Sequence, residues 1–165
     1  MISKIATLAD FEKYYLLRQD ETNIYWTGYK TAPSKEKLFD WYKINIESTN
    51  RYFFIFFEDA DEKNIVGYLY IDSIINFVEE VTVSYGVYSK MGGKGYGTSI
   101  NSFAVDFVKF SLPQIKCMGA WIAQDNIGSL KCVENNGYRK TDILKTVDFA
   151  EGEIKTFYKY ILFVR

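Results

Sequence analysis

The sequence predicts one α/β domain of the α+β kind, and three observations predict it. At 165 residues the chain matches the ~100 to 200 residues that one hydrophobic core accommodates. Apolar residues recur at helical spacing in some stretches and as aromatic and β-branched runs in others, the two kinds being interspersed. No repeat, linker or low-complexity segment interrupts them. The content of 14 Tyr and 13 Phe beside two Pro argues further against disorder.

Residues 2–7 read as a first strand. From 8 to 18, Leu8, Phe11, Tyr15 and Leu16 fall at helical spacing, which predicts the first helix. Residues 23–33 carry aromatics without a clear period. Pro33-Ser34 then precedes Lys35-Glu36-Lys37, a start signal for a second helix over 35–46. Three antiparallel strands follow at 52–57, 65–74 and 80–87, separated by polar turns such as Asp59-Ala60-Asp61-Glu62. The aromatic run 52–57 reads as a central strand buried on both faces. Helical spacing resumes over 98–110 through Ile100, Phe103, Ala104, Phe107 and Val108, and Pro113 closes that helix. A strand at 117–123, a short helix at 129–135 and strands at 138–147 and 154–164 complete the order β-α-α-β-β-β-α-β-α-β-β.

Composition excludes several classes of function. Twenty basic against 21 acidic residues leave a charge of −1, so no surplus positive field holds a phosphate backbone, and nucleic acid is not expected as a partner. Asp10 and Glu12 come before any long apolar run, and no stretch reaches the ~18 apolar residues of a membrane span. A soluble, cytoplasmic protein with no membrane partner is expected. The chain has no histidine, which removes the usual imidazole base, the Ser-His and Cys-His devices and the commonest metal ligand. No metal is expected, and any catalysis uses carboxylates, hydroxyls, water and backbone groups. Cys117 and Cys132 read as buried thiols without a disulfide. With no histidine in the chain to activate it, the Cys132 thiol is expected to stay protonated, and packing is its expected role.

The chemistry-bearing signal is the cluster Gly92-Gly93-Lys94-Gly95-Tyr96-Gly97, lying between a strand and a helix. Diphosphate binding needs convergent backbone N–H groups, close access to the backbone and the positive end of a helix dipole. Thr98 stands where a dinucleotide fingerprint needs its last glycine, and Gly95 follows Lys94 where a Walker loop needs Ser or Thr. Alone, four glycines also make a flexible turn. About thirty residues on, Asn126-Ile127-Gly128-Ser129 leads through Glu134-Asn135-Asn136-Gly137-Tyr138, with Asn126 able to cap a short helix and Gly137 able to end it.

Together these two motifs, in this element order, resemble the GNAT acetyltransferase superfamily, in the branch similar to the ribosomal-protein N-acetyltransferases. The family's Gln/Arg-x-x-Gly-x-Gly/Ala loop maps onto residues 92–97. Its Asn-x-x-Ser/Ala motif with a following Gly-Phe/Tyr maps onto Asn126, Ser129, Gly137 and Tyr138. The resemblance implies a single domain over residues 1–165, with a mixed, mostly antiparallel sheet of about six to seven strands and helices on both faces. It implies acetyl-CoA as cofactor, held by Gly92, Gly93, Lys94, Gly95, Tyr96, Gly97 and Thr98 at the diphosphate, by Tyr85, Gly86 and Val87 along the pantetheine arm, and by Asn126, Ser129 and Asn135. Gly92 departs from the family's Gln or Arg, and Lys94 is the candidate to supply that charge.

The resemblance also implies direct transfer in a ternary complex. A carboxylate must take a proton from the acceptor ammonium. Glu80 is preferred, with Glu79 and Asp72 near it on the chain. Thr82 occupies the position where that branch often has Glu, and the Glu79-Glu80 pair also reads as a solvated strand end. Since alternate strand residues face opposite ways, at most one of the two points into a site. Val133 stands where many members carry the thiolate-protonating Tyr, so Ser129 becomes the candidate donor, beside its plain reading as a helix-start serine. Acceptor selection is implied for residues 20–33 and 146–155, the former offering Tyr25, Trp26 and Tyr29, with Asp20 and Glu21, to a cationic or sugar-like amine.

The expected acceptor is a small-molecule amine such as an aminosugar or aminoglycoside-like compound, or alternatively a protein N-terminus. A catalytically weak acetyl-CoA sensor and a cofactor-free aromatic interaction domain are the readings from other classes. The strand near 155–163 could pair with a second copy in a homodimer.

Overall fold

The computed structural model describes residues 1–74, 77–149 and 152–165. Its elements are β1 (Ile2–Ile5), α1 (Phe11–Arg18), α2 (Glu21–Trp26), α3 (Lys35–Ile46), β2 (Arg51–Phe57), β3 (Ile65–Ile74), β4 (Phe77–Val87), α4 (Tyr96–Ser111), β5 (Cys117–Ala123), α5 (Ile127–Asn135), β6 (Arg139–Asp148) and β7 (Ile154–Phe163). The strands form one sheet in the order β1-β2-β3-β4-β5-β7-β6. Of the described pairings, β4 with β5 is parallel, and β1 with β2, β5 with β7 and β6 with β7 are antiparallel.

The chain divides into two compact units, residues 1–70 with 85–96, and residues 71–84 with 97–165. The first is built on aromatic packing. Phe11, Tyr14 and Leu17 recur along the buried face of α1, Leu38 and Tyr42 along α3, and Phe53, Ile55 and Phe57 alternate along β2. Edge-to-face contacts knit them together, with Tyr14 and Phe53 centroids 5.2 Å apart and Phe53 and Tyr70 4.8 Å apart. Since Phe54 and Phe56 are buried too, β2 carries a core on both faces, as expected of the run 52–57. In the second unit α4 buries Ile100, Ala104, Val105 and Val108, α5 buries Val133, and β5 buries Met118, Ala120 and Ile122.

Four expectations change. Glu21–Trp26 forms a third amino-terminal helix, so the order begins β-α-α-α. Six residues are too few to show a period, and the Asp20 carboxylate stabilises the helix by accepting from Asn23 N at 3.2 Å. On α1 the buried face runs through Phe11, Tyr14 and Leu17, whereas Leu8 and Leu16 are half exposed. Cys117 and Cys132 are unpaired as expected but only partly buried. Finally, β7 cannot offer an edge to a second copy, because it is hydrogen-bonded to β5 on one side and β6 on the other. At that end of the sheet the edge is β6, whose run of charged residues and register shift between Lys140 and Leu144 discourage pairing. No described helix is long and apolar enough to cross a membrane.

Candidate functional site

The glycine segment between β4 and α4 is exposed, and its backbone is shaped by two left-handed residues. Gly93 has φ +74° and Gly95 φ +81°, and a Cβ built on either meets nothing within 4 Å. Any L side chain is strained at those angles. Gly92 is different: its φ is −62°, and its N–H closes the preceding turn on Ser89 O at 2.9 Å. A helix leaves its first amides without acceptors inside the helix and directs them toward the chain that precedes it. At α4 that chain is Gly92–Gly95, so accessible backbone and a positive helix end coincide, as an anion requires.

Side chains around this segment have defined partners. Lys94 Nζ lies 3.7 Å from Glu58 Oε1 and 3.8 Å from Met91 Sδ, and remains half exposed. Tyr96 Oη donates to the same Glu58 oxygen at 3.0 Å, which pushes its phenol up. Within the second unit, fully buried Asn101 donates to Gly97 O at 3.0 Å, fixing the first turn of α4. Asn136 Nδ2 donates to Thr98 O at 3.1 Å and to Cys132 O at 2.8 Å, tying the end of α5 to the start of α4. Asn135 is exposed at the end of α5. The pair Asn135-Asn136 before Gly137 carries no sequence signal that marks Asn136 for this tie.

The start of α5 follows expectation. Asn126 Oδ1 accepts from Ser129 N at 3.1 Å, and Gly137, at φ +83°, ends the element. Ser129 is partly buried and its hydroxyl makes no hydrogen bond among the described residues, whereas Val133 is fully buried.

On β4, Glu79 and Glu80 take different partners, in line with their opposite directions along a strand. Glu79 is more than half exposed and pairs with Lys116 at 2.6 Å. Glu80 is largely covered and pairs through Oε1 with Lys159 Nζ at 2.6 Å. That ion pair passes over Gly119, where a Cβ would come within 3.0 Å of Glu80 Oε1. Burial, reinforced by the Glu80 charge, pushes the Cys117 thiol up, so it stays protonated. Asp72 is partly buried on β3, and Thr82 is partly buried opposite Gly119. Pairing of β4 with β5 covers Glu80–Thr82 against Cys117–Gly119 and goes no further among the described residues.

The later part of β4 belongs to the first unit, where Gly86 is buried because nothing larger fits. A Cβ there would lie 2.3 Å from Asn23 Oδ1 and 2.5 Å from the Tyr68 ring. Asn23 Nδ2 donates to Val87 O at 3.0 Å and to Asp20 Oδ2 at 2.9 Å, and Asp20 Oδ1 accepts from Ser89 Oγ. The same unit holds a cleft of about 670 Å³, lined by Arg18, Thr27, Tyr29, Pro33, Ser34, Lys37 and Trp41 among others. Part of its lining, from Thr27 to Pro33, falls in the loop 20–33 expected to select the acceptor. Tyr29 lines it; Tyr25 and Trp26 pack edge to face at 4.9 Å and are not among the lining residues. In the other expected acceptor loop, 146–155, residues 150 and 151 lie outside the described residues.

Residues 2–139 match the Acetyltransferase (GNAT) domain family. No curated protein sequence matches the chain. Among solved structures it resembles spermidine N-acetyltransferase from Vibrio cholerae in complex with CoA and spermine, at 16% identity and TM-score 0.84, over 98% of this chain and 94% of that one. It also resembles a candidate phosphinothricin N-acetyltransferase, at 16% identity and TM-score 0.79, over 99% of this chain and 98% of the other.

Proposed function

The chain belongs to the GNAT acetyltransferase family and is an N-acetyltransferase that uses acetyl-CoA. We propose that residues 1–165 act as a single cytoplasmic catalytic domain transferring the acetyl group directly, in a ternary complex, to a primary amine of a small molecule such as an aminosugar. One observation carries the cofactor assignment: Gly93 and Gly95 are left-handed and exposed immediately before α4, and a Cβ built on either meets nothing within 4 Å. The small acceptor is supported by the cleft, whose volume of about 670 Å³ lies in the ~300–1,000 Å³ range of small-molecule sites. It is supported too by the solved relatives, which are named for spermidine and phosphinothricin.

Acetyl-CoA supplies the acetyl group as a thioester, an acyl donor with a stable thiolate as leaving group. In the proposed arrangement the amides of Gly93–Thr98 hold its diphosphate, and Lys94 supplies a positive charge that Glu58 partly offsets. Backbone of Tyr85, Gly86 and Val87 aligns the pantetheine arm, and the close fit of Gly86 against Asn23 and Tyr68 fixes that backbone. Asn126 holds the first turn of α5, presenting the Ser129 hydroxyl as proton donor to the departing sulfur. The Glu80 carboxylate accepts the ammonium proton; Oε1 carries the Lys159 contact, so Oε2 is the oxygen assigned to the amine.

The test is to incubate the protein with acetyl-CoA, a thiol-detecting reagent and a panel of small amines, aminosugars and peptides with free N-termini. Amine-dependent thiol release is expected with small amines. Release with peptides alone moves the acceptor to a protein N-terminus, and absence of acetyl-CoA binding refutes the cofactor assignment.

A further inference from the structure

Arg18, the last residue of α1, is 8% exposed yet has no acidic partner among the described residues. Its one hydrogen bond there runs from Nη1 to Tyr14 Oη at 3.1 Å, and its buried Nε has none. A guanidinium is charged at every relevant pH, and burying it without a counter-charge is unfavourable unless an anion completes the site. The acids near it on the chain are engaged elsewhere or exposed. Asp20 receives Asn23 and Ser89, Glu12 pairs with Lys35 at 2.7 Å, Asp40 sits 3.5 Å from Lys43, and Glu21 is exposed on α2.

Arg18 lines the 670 Å³ cleft, and the rest of that lining agrees with its charge. Lys37 adds a second cation, Thr27, Thr31 and Ser34 add hydroxyls, Trp41 forms an apolar wall, and no described lining residue is a carboxylate. Such a cleft repels a polycation and attracts an anion tethered to a small body.

We infer that the acceptor amine carries an acidic group, a carboxylate or a phosphate-type oxyanion, and that Arg18 with Lys37 receives that group in the cleft. The inference rests on the acetyltransfer reading above and narrows its substrate class. It also replaces the expectation of a cationic acceptor held by Asp20 and Glu21.

The experiment compares kcat/KM, from coenzyme A release, within pairs of amines that share a skeleton. Free amino acids against their methyl esters form the carboxylate arm; phosphoethanolamine against ethanolamine and glucosamine 6-phosphate against glucosamine form the phosphate arm; spermidine is the cationic control. The acid-bearing member of at least one arm is expected to exceed its neutral counterpart about 10- to 100-fold. Arg18→Gln should collapse that ratio toward unity with acetyl-CoA affinity unchanged, and Arg18→Lys should restore part of it. Should either Arg18 variant fail to fold, Lys37→Gln on the exposed rim is expected to lower the ratio several-fold. Equal or better turnover of neutral amines or spermidine, or acetyl-CoA binding without preference in any pair, overturns the inference and leaves the cofactor assignment standing. Absence of acetyl-CoA binding refutes the acetyltransfer reading itself.

Discussion

Gly86→Ala is the substitution whose cost the structure defines most sharply. The added methyl would lie 2.3 Å from Asn23 Oδ1, and 2.5 and 2.7 Å from two Tyr68 ring carbons, so neighbours must move by about 1 Å to reach normal contact at ~3.5 Å. Neither can move freely. Tyr68 is 4% exposed within the aromatic core, and Asn23 is fixed by bonds to Asp20 and Val87. Overpacking of this kind costs about 1–3 kcal/mol. Displacing Asn23 from Val87 O adds about 1 kcal/mol, giving about 2–4 kcal/mol in all. At 2–4 °C per kcal/mol for a chain of this size, Tm should fall by about 5–15 °C. Gly119→Ala is the matched control, because its methyl crowds the ends of the Glu80 and Lys159 side chains, at 3.0 and 3.2 Å, and meets Val81 O at an ordinary 3.8 Å, so it should cost about 1 kcal/mol or less. Urea and thermal unfolding of both variants measure the difference. If Gly86→Ala melts with the wild type, or no lower than Gly119→Ala, the close approach of α2 to the end of β4 is wrong.

Three more outcomes follow from named groups. Glu80→Gln should lower kcat/KM about 100-fold or more, the usual worth of a general base, with acetyl-CoA affinity unchanged, whereas Glu79→Gln should leave turnover within about two-fold; equal effects in steady-state assays would reject the assignment. Glu58→Gln removes a carboxylate 3.7 Å from Lys94 and should tighten acetyl-CoA binding about two- to five-fold by calorimetry, with the gain shrinking at high salt; weaker binding would contradict the proposed role of Lys94. Burial pushes the phenols of Tyr14 and Tyr70 up and that of Tyr68 up to about 12. Because the folded form holds these protons more tightly than the unfolded chain, their contribution is complete below pH ~10 and is lost as pH rises toward about 12. Denaturant midpoints should therefore be flat from pH 8 to 9.5 and fall steeply above 10; a flat profile to pH 12 would refute the buried cluster.

Much of the fold was legible because its signals are local. Ser34 and Asn126 cap α3 and α5 through contacts at 3.4 and 3.1 Å, and Gly137 takes the left-handed angle that ends α5. The aromatic run of β2 declared its burial on both faces by lacking alternation. What stayed hidden depends on long-range pairing. Nothing in residues 154–164 says that β6 folds back outside β7, so an interior strand looked like an edge. The glycine loop was readable from spacing, but Glu58, 36 positions before Lys94, was not. Arg18 was invisible for a related reason: at the end of a helix a basic residue reads as a favourable exposed charge, and only the arrangement of Tyr14, Tyr70 and the cleft shows that it is buried.

The central claim is that main-chain amides at the start of α4 hold the cofactor's diphosphate. Titrating coenzyme A into the 15N-labelled protein, with pantetheine as a control lacking the diphosphate, tests it residue by residue. The account predicts that coenzyme A, and not pantetheine, moves the amide resonances of Gly93, Gly95, Gly97 and Thr98 more than any others. Saturable binding that leaves those four resonances in place would contradict it.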